Sequence, residues 1–287
     1  MCFDLFPAMT RCGFIGTMRR CLATASVLLA VASLCPGAAA GADEPPSASE
    51  EIARYRQMLE DGNPAELTEL AGEVLWRGAR GPGSASLEAC DLGLGPGVVA
   101  GAFARLPRHF EDSGRVEDAE SRVVTCMMRL QGLSFEEATR DWHRPGSDVE
   151  ALVTYIAGQS RGERIDAPAR HPEEVRLLAV GEDLFFRRAG PLDFACATCH
   201  AQDNRRIRLQ ELPNFLDRRS AAGSMTVWPA YRVSQSAVWT MERRLIDCIR
   251  QMRWPEPDFG SEAIVALQVY LQSQAGGGVL QAPGIKR

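Results

Sequence analysis

Five consecutive residues carry the most specific chemistry in this sequence: Cys196-Ala197-Thr198-Cys199-His200. Two thiols at that spacing can add to the vinyl groups of a haem, and the histidine after them is placed to ligate the iron from the proximal side. The competing reading is a zinc or redox Cys-x-x-Cys pair followed by an unrelated histidine. A zinc site would need a second cysteine pair, which the sequence lacks. One covalently attached haem c is therefore expected, held by Cys196 and Cys199 with His200 on the iron.

The other side of that iron has several candidate ligands. Met225, Met241 and Met252 offer a thioether, and His/Met ligation would make the chain a plain electron-transfer cytochrome c. Cys248 offers a thiolate, which gives more charge to the iron and lowers its potential. Met241, Leu245, Cys248, Ile249 and Met252 recur at helical spacing, so Cys248 falls on an apolar stripe, with Arg244 one turn before it. A guanidinium beside a thiol favours the thiolate and can hold a small sulfur oxyanion with two parallel hydrogen bonds. Against this, a buried cysteine is usually a small hydrophobe. The residues alone leave open a catalytic sulfur, a methionine-ligated carrier and a docking subunit in which Cys248 is inert.

Helices must position these groups. Val175, Leu178 and Phe185 form an apolar stripe upstream of the motif, with Gly181 where another backbone could approach, and Ser261 to Gln274 reads as a capped amphipathic helix. A helix crossing a later one beside the haem is the plan of a class I cytochrome c domain. The first half repeats these landmarks. Gly72-Glu-Val-Leu-Trp-Arg77 matches the stretch opening at Gly181. A cysteine follows each glycine by 18 residues, at Cys90 and Cys199. Glu120 to Cys126 parallels Glu242 to Cys248, and Asp148 to Gln159 parallels the last helix. The expectation is an all-α chain of two cytochrome c-like domains in tandem, 43–168 and 169–287, the first without haem.

In the first copy Asp91 follows Cys90 where a histidine would be needed, and Leu87 stands where the other attachment thiol would be. Cys90 and Cys126 are then two unassigned thiols, expected to form a disulfide in place of the lost haem; two buried free thiols are the alternative. His109, His143 and His171 fall outside any ligand spacing and read as surface or packing residues.

The start of the chain reads as a processing signal. Arg19 and Arg20 precede an apolar run from Leu22 to Leu34, followed by Ala40-Gly41-Ala42. That run is too short to span a bilayer and ends in an Ala-x-Ala site, so residues 1–42 are expected to be a secretory signal and the mature chain periplasmic, with no membrane span after cleavage. A lipoprotein reading at Cys35 fits its neighbours poorly. Removal leaves five of nine cysteines, in an oxidising compartment, and 29 basic against 36 acidic residues. With 45% hydrophobic and 24% charged residues overall, a disordered or multi-spanning chain is excluded. An acidic chain whose only lysine is Lys286 is a poor nucleic-acid binder.

Taken together, the residues resemble the SoxA family, the catalytic cytochrome subunits of SoxAX complexes in bacterial thiosulfate oxidation. The resemblance runs over nearly the whole mature chain. It rests on Cys90-Asp-Leu-Gly-Leu-Gly-Pro-Gly97, Cys196 to His200, Trp228-Pro-Ala-Tyr-Arg232, Arg244 to Cys248, Arg250-Gln-Met-Arg253 and Gly260-Ser-Glu-Ala263. The absent first attachment motif is similar to the single-haem branch of that family. The resemblance implies an L-cysteine S-thiosulfotransferase: Cys248 as axial ligand and active cysteine, found in the family as a persulfide, and Arg244 positioning thiosulfate. It also implies the carrier SoxYZ as acceptor and the cytochrome SoxX as electron outlet. Arg205, Arg206, Arg208, Arg218, Arg219, Arg232, Arg243, Arg250 and Arg253 crowd this half of the sequence, so a focused positive field for a dianion is expected, with Arg232 ranked well below Arg244.

Overall fold

The computed structural model describes residues 62–207 and 210–286, together with 47, 50, 51, 54, 55, 57 and 58. The expected signal segment, 1–42, lies outside them. Among the described residues the first half runs α1 (Ala65–Arg77), β1 (Arg108–Phe110), β2 (Arg115–Glu117), α2 (Ala119–Gln131), α3 (Phe135–Ala138) and α4 (Asp148–Gly158). The second half runs α5 (Pro172–Phe186), α6 (Cys196–His200), β3 (Arg206–Ile207), β4 (Gln210–Glu211), α7 (Arg218–Met225), β5 (Ala230–Arg232), β6 (Ala237–Trp239), α8 (Met241–Gln251), α9 (Glu262–Gln274) and β7 (Gly284–Lys286).

Two glycines set the main helix crossings. A Cβ at Gly72 of α1 would lie 2.0 Å from the Ala151 carbonyl oxygen of α4 and 2.7 Å from the Tyr155 Cβ. A Cβ at Gly181 of α5 would lie 2.0 Å from the Ala266 carbonyl oxygen of α9 and 2.9 Å from the Tyr270 Cβ. Each glycine removes the side chain that would otherwise hold the two backbones apart. The same pair of partners, an alanine and a tyrosine four residues later, recurs at both crossings. The core is continuous across the halves, with Trp76, Phe103 and Leu152 in one cluster with Phe185, Trp228 and Ile264.

Three expectations change. The all-α reading becomes a mostly helical fold with three small sheets among the described residues, because loops between helices are tied by strands of two or three residues. In the largest sheet β5 pairs antiparallel with β6 and parallel with β7, so the chain's end closes on the strand that carries Arg232. On α5 the buried face is Leu177, Gly181 and Phe185, while Val175 is half exposed. Packing follows the glycine, and Val175 lies off that line. Helix α9 is buried on every side from Ile264 to Gln272 and Ser261 makes no side-chain cap, so it is a core helix rather than a capped amphipathic one.

A disulfide joins Cys90 to Cys126 on α2, with Cα atoms 5.7 Å apart and both residues buried. In the chain-entropy picture, closing a loop of this size contributes roughly 3–4 kcal/mol.

Three carboxyls meet between α2 and α8. Asp118 caps α2 through the Ser121 N–H (2.9 Å) and takes a hydrogen bond from Gln268. Glu120 accepts the Glu242 N–H (3.4 Å), and both Glu242 oxygens accept the Gly260 N–H (3.1 and 3.0 Å). Burial, then the Asp118 charge, pushes Glu120 up to about 8, and burial with both neighbouring carboxyls raises Glu242 well above its ordinary value. The folded chain thus holds protons that the unfolded chain releases near the ordinary glutamate value of 4.5. Their stabilising effect is full below that value and is lost as pH climbs through about 8. The melting midpoint is therefore expected to fall between roughly pH 5 and pH 9. Glu120→Gln should flatten the fall and melt higher than the parent at the alkaline end, as calorimetry across the range would show. An equally steep fall in the variant would exclude this cluster as the cause.

Candidate haem centre

The motif sits on α6, a helix of five residues entered through a turn at Gly190 and Asp193, both in the left-handed region. The Ala195 N–H donates to the Thr198 hydroxyl (2.9 Å), which starts the helix. One turn then places Cys196 and Cys199 on one face, neither of them in a disulfide. His200 follows with its Nδ1 2.9 Å from the Pro213 carbonyl oxygen. With the ring proton on Nδ1, donated to that carbonyl, Nε2 is left as a lone-pair donor in a fixed orientation. Burial pushes the imidazole down from its ordinary value; the Pro213 contact opposes this and the Arg244 cation adds to it, and the net shift favours the neutral ring that ligation requires. Phe215 packs on the His200 ring (5.5 Å between centroids), and Phe185 of α5 meets Phe215 edge-on at 6.3 Å. The main helix crossing thereby backs the ligand.

Helix α8 is capped by Thr240, whose hydroxyl accepts the Arg243 N–H, and it brings Arg244 and Cys248 to the same place. The Cys248 charge is felt at Cys196, and that of Cys199 at Cys248, so the three thiols lie within electrostatic range of one another. Burial pushes the Cys248 thiol up from its ordinary value. Arg244 draws it back, Asp247 opposes that, and Arg232 adds to the pull of Arg244. Of the competing methionines, Met225 and Met241 are sealed in the core, and Met252 is half-buried just past the end of α8.

Sequence reading missed Asp247. Its carboxylate accepts from Arg244 (2.9 Å), Arg250 (2.6 Å) and Gln251 (2.7 Å), anchoring the Arg244 guanidinium beside the thiol. The signal available was its position three residues after Arg244. Arg232 lies closer to the centre than its ranking implied. It is half-buried, its guanidinium lies 5.5 Å over the Trp239 ring, and its Nε has no hydrogen-bond partner among the described residues. Arg243 turns the other way, buried against Glu150 (3.7 Å) and the Trp142 carbonyl. Arg205, Arg206, Arg218, Arg219, Arg250 and Arg253 are exposed, and Arg208 lies outside the described residues. The expected crowd of arginines thus narrows to two whose charge acts on the Cys248 thiol.

Similarity to known proteins agrees with this geometry. The SoxA/TsdA cytochrome c domain family matches residues 71–165 and 180–280. The L-cysteine S-thiosulfotransferase subunit SoxA of Hydrogenophilus thermoluteolus is 47% identical over 94% of this chain and 100% of its own length. The chain belongs to the SoxA family. A second SoxA, from Hydrogenobacter thermophilus, is 31% identical over 82% of this chain and 90% of its own. The crystal structure of SoxXA from P. pantotrophus shares the fold, with a TM-score of 0.68 at 24% identity over 82% of this chain and 84% of that one.

A cytochrome c domain of the SoxA family carries haem c, and the residues here fit it. The two half-buried thiols of α6 are unpaired with each other, and His200 has one nitrogen tied to a carbonyl and the other without a hydrogen-bond partner among the described residues. Phe185 and Phe215 supply the apolar wall behind the histidine.

Proposed function

We propose that this chain is the catalytic subunit of an L-cysteine S-thiosulfotransferase, joining thiosulfate oxidatively to a cysteine of the carrier SoxYZ. Its observational support is the convergence of Cys248 and Arg244 from α8 on the Cys196–His200 motif of α6. The balanced reaction takes a carrier thiol and thiosulfate to a cysteine S-thiosulfonate, one proton and two electrons. Haem, when bound, supplies one-electron transfer and a metal for sulfur to ligate.

The chain's own residues have distinct tasks. Cys248 and His200 would hold the haem iron, and Cys248 would serve as the active sulfur beside it. Arg244, fixed by Asp247, binds the dianion and favours the ionised thiol. Thiosulfate meets a local positive site in a chain of net charge −5.

The first half is read as a cytochrome c-like unit without haem, so that residues 43–168 and 169–287 form a tandem with one haem in all. Supporting this, Cys90 and Cys126 hold the places that Cys199 and Cys248 hold in the second half. Their direct bond, with Cα atoms 5.7 Å apart, leaves no room for a porphyrin between them. One haem takes one electron at a time, so the second needs another redox centre, and SoxX is the proposed partner. Residues 1–42 are read as an export signal and the site of action as the periplasm. No described helix is long and apolar enough to cross a membrane.

Electron paramagnetic resonance of the ferric protein, with its long-wavelength absorption, tests the ligation. The expected result is a low-spin thiolate-type signal without the charge-transfer band of methionine-ligated haem. That band at full intensity would return the chain to a plain electron carrier.

A further inference from the structure

Sequence spacing separates His109 from His171, but folding stacks them. His109 lies on β1 of the first half, and His171 is the N-cap of α5 in the second. Their rings are parallel within 8°, with centroids 3.7 Å apart. The Glu111 carboxylate joins them, its Oε1 3.6 Å from the His109 Nδ1. One ligand atom from each of the three lies within 4.8 Å of the other two. We propose that His109, His171 and Glu111 form a binding site for a divalent transition-metal ion of the zinc class, distinct from the haem centre, that fastens the β1–β2 hairpin to the start of α5.

The surroundings are built for such a clamp. The Glu174 carboxylate accepts the backbone N–H groups of His109 (2.7 Å), Arg170 (2.8 Å) and His171 (3.0 Å), so one side chain fixes both ligand-bearing segments. The His109 side chain is only 10% exposed, whereas Glu111 is 92% exposed and free to swing onto an ion. The cleft in front of them, about 290 Å³, has room for an ion with its remaining waters. Arg105 and Arg108 also line it, Arg105 being paired with Asp166 and Arg108 bonded to the Gly93 carbonyl. Those cations disfavour a hard ion held by charge alone. Two imidazoles with one carboxylate select a borderline metal such as Zn²⁺ over Ca²⁺ or Mg²⁺, which take oxygen ligands.

Binding has a cost that sets its strength. The His171 Nδ1 accepts the Glu173 N–H at 3.2 Å, capping α5. Whichever ring nitrogen takes the metal, that cap is lost, because Nδ1 then holds either the metal or the ring proton. Losing a cap weakens binding on the order of tenfold relative to a site without that cost.

The test uses the haem-loaded chain, freed of loose metal by a chelator and dialysed against Zn²⁺. One zinc per chain beyond the haem iron is expected, with a melting midpoint that rises with Zn²⁺. His109→Ala combined with His171→Asn, which keeps a capping side chain, should weaken uptake roughly 100-fold, and Glu111→Gln roughly tenfold. Glu111→Gln alters a side chain almost wholly in solvent, so its result stands even if the double variant misfolds. No uptake by the parent at micromolar zinc, or uptake unchanged by Glu111→Gln and by a folded double variant, would overturn the site.

Discussion

Cys248→Ser is expected to lower thiosulfate-dependent formation of the carrier S-thiosulfonate by at least about 1,000-fold while leaving the haem attached. Serine preserves the volume and the helix, and neither Cys196, Cys199 nor His200 is touched. What it removes is the thiol of α8 whose charge reaches the cysteines of the α6 motif. A hydroxyl is a weaker ligand and cannot enter a sulfur–sulfur bond, so positioning by Arg244 survives but has nothing to act on. The measurement is reduction of the partner cytochrome on adding thiosulfate and carrier, with mass analysis of the carrier cysteine for the added group. The haem spectrum should shift in the same variant, because the sixth ligand changes. Activity within about tenfold of the parent, with an unshifted spectrum, would make Cys248 a packing residue and leave an electron carrier or a docking subunit.

What the sequence made legible follows from the range of the contacts involved. The α6 motif was legible because five adjacent residues contain it whole, and Arg244 with Cys248 because helical spacing places them on one face. Arg243 and Arg244 show where such reading stops. Adjacent on one helix, they point to different neighbours: Arg243 to Glu150 of the first half, Arg244 to Asp247 and the sulfur. Sequence position cannot separate them without knowing which face of α8 meets the core. Asp247 escaped notice because an acid among arginines reads as solvated charge until its three hydrogen bonds are seen. His109 and His171 are brought together only by the packing of the first half's hairpin on the second half's helix, for which local spacing has no signal. Val175 failed for a related reason: apolar residues report that a helix has a buried face, while the close approach at Gly181 decides which face it is.

That close approach carries the largest expected effect on stability. Gly181→Ala is expected to lower the melting midpoint by roughly 5–10 °C, the sign opposite to that of the same substitution elsewhere in this chain. Alanine favours a helix over glycine by about 1 kcal/mol. At Gly181, however, the new Cβ would fall 2.0 Å from a backbone oxygen of α9, with the Tyr270 Cβ 2.9 Å away. No rotamer relieves a clash with backbone, so α5 and α9 must part, at a cost of about 3 kcal/mol or more in lost packing. The displacement would carry Phe185, and through Phe215 would loosen the wall behind His200, so the haem spectrum should broaden before the protein melts. Gly223 in α7 supplies the control. It is exposed and has nothing within 4 Å of its added Cβ, so Gly223→Ala should raise the midpoint by about 2 °C through helix propensity alone. Differential scanning calorimetry of the two variants would separate the contributions, and a Gly181→Ala protein that melts with or above the parent would mean that α5 and α9 do not cross at Gly181 and Ala266.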